Sequence, residues 1–303
     1  MKIMIFGIGG VGGFVGGALA KNYEETYFYA RNLMKEKIAS DGLRLDSVKL
    51  GNMIVKPKLV SDSPEELGKM DVIIVSCKGD KLEAACKAIA PLVKESTVVI
   101  PLLNGILVSD VMKQWLPPCI LADGTIRIFS HIEGPGHIVQ DAGLCNITFG
   151  MQDGNNPPVF EEIAKILTDA GVETTVITDI VLQSWKKFMI TGTVGAILCY
   201  FNGDTGFVRS QEGYKEIVEA AYGEVQAVAR AKGVELTDDF VAKLVSTIDT
   251  NPANTITSLY RDLRDGKDPK DTELDNLVGY LIEQGKLVGI PTPIFEQAYN
   301  NFK

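Results

Sequence analysis

Glycines near the start of the chain have the spacing of a phosphate-binding turn. Gly7, Gly9 and Gly12 form a GxGxxG pattern directly after the apolar run Ile3–Phe6, which is typical of a buried strand. The first glycine permits a tight turn, the second lets the backbone approach a pyrophosphate, and the third lets the next helix pack on the strand. The N-terminal amides of that helix would hold the phosphates of a dinucleotide. The residues of this predicted cofactor-binding turn are Gly7, Ile8, Gly9, Gly10, Val11 and Gly12.

The end of the second predicted strand indicates which dinucleotide binds. Residues 26–30 are typical of a strand, and Arg31 follows where NAD-binding proteins usually place an acidic residue. A cation at this point suits the 2′-phosphate of NADP, and Asn32 and Lys35 add polar and basic groups nearby. We therefore predict NADP(H) as the cofactor and Arg31 as a cofactor-binding residue. The alternative is a solvated arginine at the start of a helix.

The composition indicates a globular protein and disfavours several classes of partner. Of the 303 residues, 46% are hydrophobic and 23% charged, and the net charge of −9 argues against nucleic acid or an anionic membrane. No run approaches the roughly 20 apolar residues that span a bilayer. The five cysteines form no CxxC pair and there are only two histidines, His131 and His137. We therefore predict a cytoplasmic protein with no metal site.

The order of the predicted elements indicates two domains. Up to about residue 150, β-branched runs such as residues 72–76 alternate with helical patterns, as in a doubly wound parallel sheet of the Rossmann type. After residue 179, strand-like runs disappear. We predict an α/β fold with an NADP-binding domain at residues 1–179 and an all-helical substrate or dimerisation domain at residues 180–303. The predicted helices of the second domain cover residues 180–199, 210–232, 237–248, 254–264 and 272–288.

Short blocks spread along the chain resemble the ketopantoate reductase (2-dehydropantoate 2-reductase) family. They are GxGGVGG with Arg31, Ser76-Cys77-Lys78, Leu103-Asn104-Gly105, Trp185-Lys186-Lys187, Ser258-Leu259-Tyr260-Arg261-Asp262, Thr272-Glu273-Leu274-Asp275 and Gly289-Ile290-Pro291-Thr292-Pro293. The resemblance implies a 6-phosphogluconate-dehydrogenase-like fold. It also implies a reaction in pantothenate and coenzyme A biosynthesis, in which NADPH gives a hydride to C2 of a 2-keto acid. A lysine gives the proton to the carbonyl oxygen.

The same resemblance assigns catalytic roles to Lys187 and Glu273. Lys187 matches the family's lysine, and an ordinary lysine pKa of about 10.4 keeps it charged at neutral pH, so it can polarise the ketone before protonating it. Glu273 matches a glutamate near the substrate and the cofactor ribose. The structural alternatives are a surface lysine and an acidic residue that stabilises a helix N-terminus.

Four further residues carry binding roles implied by the resemblance. Asn104, predicted as a cofactor- and substrate-binding residue, would hydrogen bond to the nicotinamide or to the substrate hydroxyl. Lys78 would face the cofactor from a strand end. Ser258 would bind the substrate carboxylate, and Thr191 would donate one hydrogen bond to the substrate. The structural alternatives are an ordinary Asn-Gly turn for Asn104, a solvated lysine for Lys78 and a helix-surface hydroxyl for Ser258.

The departures from the family pattern concern the substrate. Thr191 and Gly195, one and two helical turns after Lys187, replace asparagines that usually bind substrate, and we expect Thr193 to fill part of the gap. The loop at residues 263–272 is also slightly longer than usual and carries a charged turn. These departures weaken the assignment of ketopantoate as the substrate.

Two other functions remain open at this point, together with the oligomeric state. One is a paralogous D-2-hydroxyacid dehydrogenase that acts on another 2-keto acid. The other is a non-catalytic NADP-binding regulatory protein. A homodimer through the helical domain is a further expectation, and the predicted partner is a small-molecule 2-keto acid.

Overall fold

The computed structural model describes all residues from Met1 to Lys303, and the chain divides into two compact units. Unit 1 comprises Met1–Cys77, Lys81–Leu103 and Leu107–Ile180. Unit 2 comprises Lys78–Asp80, Asn104–Ile106 and Val181–Lys303, so two short loops from the first half of the chain belong to it. The assignment of a cofactor role to one part of the chain and a substrate or dimerisation role to the other stays a prediction.

Unit 1 contains a parallel sheet flanked by helices. The strands are β1 (Ile3–Phe6), β2 (Thr26–Tyr29), β3 (Leu43–Ser47), β4 (Met53–Val55), β5 (Leu59–Ser61), β6 (Val72–Val75), β7 (Val98–Pro101), β8 (Ile120–Leu121), β9 (Asp123–Gly134), β10 (His137–Gly150) and β11 (Glu173–Val176). The helices are α1 (Gly10–Asn22), α2 (Asn32–Asp41), α3 (Pro64–Leu67), α4 (Leu82–Ile89), α5 (Val108–Met112) and α6 (Val159–Asp169). Six parallel strands follow the order β5-β2-β1-β6-β7-β8, which confirms the predicted Rossmann-type sheet.

A second sheet in unit 1 was not predicted. Its long strands β9 and β10 form an antiparallel hairpin, and β10 also pairs in parallel with β3 and β11. The turn at residues 134–136 is tight, with Gly136 at φ +74°. His131 and His137 lie on the strands that flank this turn. Polar residues along β9 and β10 weaken the strand signal in this part of the sequence.

Helix α1 packs against both sheets because its glycines leave no room for larger side chains. A Cβ at Gly16 would lie 2.7 Å from Phe28 in the first sheet. On the other side, a Cβ at Gly13 would lie 2.5 Å from Ile138 and one at Gly17 would lie 3.2 Å from Leu45, both in the second sheet. Phe14 of the same helix is fully buried, and burial of such a side chain contributes roughly 1.5–3 kcal/mol. The packing of α1 therefore fixes where the glycine turn at residues 7–12 lies in unit 1.

Unit 2 is helical and is built around a long central helix. Its helices are α7 (Ile180–Phe201), α8 (Thr205–Ser210), α9 (Tyr214–Ala231), α10 (Asp238–Val245), α11 (Thr247–Thr250), α12 (Ser258–Arg264), α13 (Tyr280–Val288) and α14 (Pro293–Asn300). In α7 the rings of Trp185 and Phe188 are buried and meet edge to face, 6.3 Å apart. None of the helices in the chain is both long enough and apolar enough to cross a bilayer.

The helical unit differs from the sequence prediction at three points. The predicted helix at 210–232 is interrupted at Gly213, where φ is +72°. The predicted helix at 272–288 begins with a π-helical segment, Asp275–Gly279, before α13. Helix α14 was not predicted, and its first amides at Ile294 and Phe295 donate to the Glu224 carboxylate at 2.7 and 3.2 Å. The capping carboxylate lies on a helix about 70 residues earlier in the chain, so no local sequence pattern predicts this cap.

Candidate active site

The glycine turn in unit 1 has open space where a phosphate would approach. Gly7 lies at φ +91°, a conformation that favours glycine. Gly9 caps α1 in an extended conformation, and a Cβ added there would meet no atom within 4 Å. The N-terminal amides of α1 follow directly, and such a helix end favours anions through its dipole. The residues therefore fit the pyrophosphate of a dinucleotide.

The other glycines of the turn serve packing. A Cβ at Gly12 would overlap the Gly7 carbonyl oxygen and the Ser76 hydroxyl, and Ser76 itself donates to that carbonyl at 2.8 Å. A Cβ at Gly10 would lie 2.6 Å from the Ser130 carbonyl oxygen on β9. Ile8 is buried and Val11 is partly buried beside them. Gly12 thus has the close-packing role predicted for it. A side chain is excluded at Gly10 by strand β9, which belongs to the hairpin that was not predicted.

Arg31 lies at the end of β2 and caps α2. Its side chain is exposed and makes no hydrogen bond or ion pair with the protein. The neighbouring Lys35 is paired with Asp62 at 2.6 Å, which leaves Arg31 as the available cation at this strand end. An available guanidinium suits a phosphate group, which it can bind through two hydrogen bonds.

In unit 2, Asn104 and Glu273 hydrogen bond to each other although they are far apart in sequence. The Asn104 amide Nδ2 donates to both carboxylate oxygens of Glu273 at 3.3 Å. Asn104 follows β7 in the chain, and the backbone then turns through Gly105 at φ +134° and Leu107 at φ +49°. Such a φ is uncommon for leucine and costs energy, so the rest of the fold must hold this segment in place.

Glu273 lies between a loop fixed by hydrogen bonds of Thr272 and the π-helical segment Asp275–Gly279. The Thr272 hydroxyl donates to the Pro269 carbonyl at 2.7 Å and accepts from the Leu274 amide at 3.2 Å. The segment Asp275–Gly279 begins two residues after Glu273, and π-helical turns are frequent at functional sites. A Cβ at Gly79 would lie 2.5 Å from the amide of Asn276, so this segment also contacts the loop that follows Lys78.

Lys78 belongs to the same unit and shares a carboxylate with a second lysine. Its ammonium lies 2.6 Å from Oδ2 of Asp262, and that of Lys267 lies 3.3 Å from the same oxygen. Partial burial lowers the pKa of Lys78, but hydrogen bonding and the charge of Asp262 raise it more, so the pKa lies above its ordinary value. The pKa of Asp262 lies below its ordinary value because the two lysines outweigh its partial burial. Lys78 is therefore a cation at neutral pH.

The charges of Lys78 and Lys187 act on Glu273. Burial raises the pKa of the Glu273 carboxyl above its ordinary value, while the Asn104 hydrogen bond and both lysine charges lower it in part. Asp262 adds to the rise. A carboxylate whose pKa is shifted by burial beside cations is a common feature of active sites. Structure thus brings together Lys78, Asn104, Lys187 and Glu273, four of the residues predicted from the sequence.

Lys187 lies on α7 together with Thr191 and Gly195. These residues are spaced by four, so they share one face of the helix. The Thr191 hydroxyl donates to the Lys187 carbonyl at 3.1 Å. A Cβ at Gly195 would lie 3.5 Å from Leu259 and 3.7 Å from the Thr257 hydroxyl, so a Cβ there would make ordinary van der Waals contacts. The expectation that Thr193 fills the gap is wrong, because Thr193 is fully buried and its hydroxyl donates to the Met189 sulfur.

Ser258 is the first residue of α12 and is exposed. Its neighbour Thr257 caps the helix, accepting from the Tyr260 amide at 3.2 Å. Asp262 is one turn further along α12, so Ser258 and Asp262 share a face of that helix. Ser258 therefore has a free hydroxyl on the face that carries Asp262.

The family of the chain follows from two model matches. A family model described as Ketopantoate reductase PanE/ApbA matches residues 3–154, and its C-terminal counterpart, Ketopantoate reductase PanE/ApbA C terminal, matches residues 179–303. The chain belongs to the ketopantoate reductase family. It is therefore an oxidoreductase of that family, as the short blocks predicted.

Individual members are distant. This ketopantoate reductase family member is 26% identical to the uncharacterized oxidoreductase YkpB of Bacillus subtilis (strain 168), over 100% of this chain and 98% of that protein. A crystal structure of a PanE/ApbA family ketopantoate reductase from Ralstonia eutropha JMP134 matches with a TM-score of 0.87 and 27% identity, covering 99% of this chain and 96% of that one. A D-mandelate dehydrogenase in complex with NADH and anilino(oxo)acetate shares the fold, with a TM-score of 0.85 at 22% identity over 100% and 97% of the two chains.

Sequence reasoning missed the partners that hold the cluster of this family member. Asp262 was part of a short block that resembles the family, and Lys267 was part of the charged turn at residues 263–272. Neither residue was predicted to have a role of its own. The four-residue spacing of Ser258 and Asp262 is a signal that could have placed Asp262 beside a binding residue. No comparable signal exists for Lys267, because its contact depends on how the loop at residues 263–272 folds.

Proposed function

We propose that this protein reduces 2-dehydropantoate (ketopantoate) to pantoate with NADPH, as a 2-dehydropantoate 2-reductase of pantothenate and coenzyme A biosynthesis. The family membership supports a reductase. One observation carries the proposal: Lys78, Asn104, Lys187 and Glu273 come from four separate segments yet interact in unit 2. A buried carboxylate, an amide and lysine ammoniums are the groups that a ketone reduction needs.

In this proposal Lys187 is the general acid. A charged ammonium polarises the keto oxygen, stabilises the negative charge that develops there, and then gives up its proton. Asn104 is held by Glu273, so its side chain keeps one orientation and can bind the substrate hydroxyl. Glu273 accepts a hydrogen bond from the product hydroxyl, and the positive charge of Lys187 acts on its carboxylate.

The dinucleotide would bind to residues of unit 1 and would supply the hydride. The turn at residues 7–12 offers open space at Gly9 and the amides of α1, which suit the pyrophosphate. Arg31, exposed and without a protein partner, suits the 2′-phosphate of NADPH. Lys78 and Asn104 are further proposed contacts of the cofactor. The preference for NADPH over NADH is part of the proposal.

The test is the oxidation of NADPH, followed by its absorbance, with a panel of 2-keto acids that includes ketopantoate. The expected result is turnover of ketopantoate, with NADH used far more slowly. Oxidation of neither NADPH nor NADH with any acid of the panel would reject a reductase and favour a non-catalytic NADP-binding protein.

A second candidate is a D-2-hydroxyacid dehydrogenase for another 2-keto acid, which the lack of a side-chain amide at Gly195 favours. Gly195 provides no amide, and the Thr191 hydroxyl is already donated to the backbone. A ligand group left without its hydrogen bond costs roughly 1–3 kcal/mol, or about 5- to 150-fold in affinity. We expect Gly195→Asn to lower the KM for ketopantoate, while Gly195→Ala, the control, does not. If ketopantoate is inert and a bulkier acid reacts, this second candidate replaces the first.

Two expectations about the whole protein also stay predictions. They are a homodimer through the helical domain and a cytoplasmic location. Size-exclusion chromatography with light scattering tests the first of these directly.

A further inference from the structure

Two lysine ammoniums meet on one carboxylate oxygen in unit 2. Lys78 and Lys267 both contact Oδ2 of Asp262, at 2.6 and 3.3 Å. A single carboxylate neutralises one of these charges, so the group of three carries an excess positive charge. The two ammoniums contact the same oxygen and repel each other, and this repulsion falls if an anion binds beside them.

The three side chains remain accessible to a ligand. The side-chain exposure is 52% for Lys78, 37% for Lys267 and 23% for Asp262. Glu273 also acts on this group, since its charge raises the pKa of Lys78. Glu273 also accepts a hydrogen bond from Asn104 and interacts with the charge of Lys187. Its negative charge therefore does not act on Lys78 alone.

Lys267 is held in place by its own backbone. Gly266, at φ +81°, turns the chain after α12, and the Lys267 amide then donates to the Asp262 carbonyl at 3.1 Å. Asp268 next caps the short turn at Pro269–Asp271 by accepting from the Lys270 amide at 3.0 Å. The loop that departs from the family pattern therefore directs a lysine back to α12 instead of leaving it in solvent.

The lysine pair contacts Asp262, which shares a face of α12 with the Ser258 hydroxyl. Ser258, proposed to bind the substrate carboxylate, is one turn before Asp262 on α12. The Cβ position of Gly195 faces the start of the same helix, 3.7 Å from the Thr257 hydroxyl. Where the family pattern has a substrate-binding asparagine, this chain has Gly195, and it places Lys267 next to Lys78.

We propose that Lys267, held beside Lys78 by Asp262, binds a second anionic group of the substrate, so that the protein prefers 2-keto acids with a distal carboxylate. This inference rests on the proposed 2-keto acid reductase function and names its substrate class. Lys267 is then a specificity-determining residue, which binds the far end of the substrate and takes no part in the proton transfer.

The experiment compares two acids with chains of equal length, 2-oxoglutarate and 2-oxopentanoate, in NADPH oxidation. We expect kcat/KM to be at least about tenfold higher for 2-oxoglutarate, as a charge-assisted hydrogen bond predicts. Lys267→Ala should remove most of this ratio by raising the KM for 2-oxoglutarate with little change in its kcat. Lys267→Arg should restore the ratio, and raised salt should reduce it.

Lys270→Ala is the matched control, because Lys270 is an exposed lysine of the same loop. It should leave the ratio unchanged. If Lys267 only anchors the loop, Lys267→Ala alters both acids alike and the proposal is overturned. Turnover of monocarboxylate 2-keto acids without any preference for a distal carboxylate overturns this inference alone. Failure of every 2-keto acid overturns the proposed function and this inference with it.

Discussion

The glycine turn of unit 1 and the polar cluster of unit 2 are built in opposite ways. The turn is six consecutive residues, 7–12, whose conformation follows from local geometry and from the close approach of Ser76 and β9. The cluster draws Lys78, Asn104, Lys187 and Glu273 from segments up to 195 residues apart, taking Lys78 and Glu273 as the ends. A contiguous motif can be recognised without knowing the fold, whereas a dispersed cluster exists only after folding.

The turn and the cluster also differ in how they affect the stability of the folded protein. The turn is stabilised by packing, so most of its glycines cannot change without strain in unit 1. The cluster contains a buried carboxylate and adjacent lysines, and burial of charge opposes folding. Substitutions at Gly7, Gly10 and Gly12 should therefore reduce stability and cofactor binding together. Substitutions in the cluster should reduce activity with little loss of stability.

The largest expected effect is on catalysis and tests the cluster. Lys187→Ala should reduce kcat by about 10²–10⁴-fold, because the proposed proton donor is lost. The free energy of unfolding and the affinity for NADPH should change little. Lys186→Ala is the matched control: Lys186 is the adjacent lysine of α7, and its ammonium lies 5.9 Å from the centre of the Phe240 ring. A Lys187→Ala protein with more than about half the native rate would mean that another residue is the acid.

The next effect concerns cofactor choice in unit 1. Arg31→Ala should weaken NADPH binding by about 10- to 100-fold and NADH binding much less, since a charged hydrogen bond to phosphate is worth roughly 1.5–3 kcal/mol. Fluorescence titration of both cofactors measures the two affinities. Lys35→Ala is the control, because Lys35 is committed to Asp62. Equal loss for both cofactors would place Arg31 away from the 2′-phosphate.

The features that could be predicted from the sequence are those that depend on neighbouring residues, and the features that could not depend on contacts between distant segments. The parallel sheet, the helical second half and Gly12 followed from periodicity and spacing. The roles proposed for Lys187 and Glu273 needed a family resemblance, because nothing local distinguishes Lys187 from Lys186. The β9–β10 hairpin, the cap of α14 by Glu224 and the contact of Lys267 with Asp262 depend on distant parts of the chain. No window of sequence contains the partners of these contacts.

Two glycines of one turn can separate packing from ligand binding. Gly12→Ala should lower the free energy of unfolding by about 1–3 kcal/mol, because its Cβ would overlap the Gly7 carbonyl and Ser76. Gly9→Ala should leave stability nearly unchanged, because no protein atom lies within 4 Å of the added Cβ, yet it should weaken cofactor binding. Denaturant unfolding and cofactor titration of both variants make the comparison. If Gly9→Ala binds NADPH normally, the pyrophosphate does not approach this residue.

The smallest effect is the contribution of Glu273 to stability, and it has a definite dependence on pH. Burial raises the pKa of Glu273 in the folded protein. The stability contributed by its protonation is therefore complete below the ordinary carboxyl pKa of about 4.3 and is lost as the pH rises through the raised value. Glu273→Gln removes this titration, so the variant should gain stability relative to the native protein between acidic and neutral pH, while its activity falls.

Glu219→Gln, at an exposed glutamate of α9, is the control and should show no such gain. Urea unfolding across that pH range measures the difference, and a Glu273→Gln protein that becomes relatively less stable toward neutral pH would show that the lysine charges outweigh burial at this carboxylate.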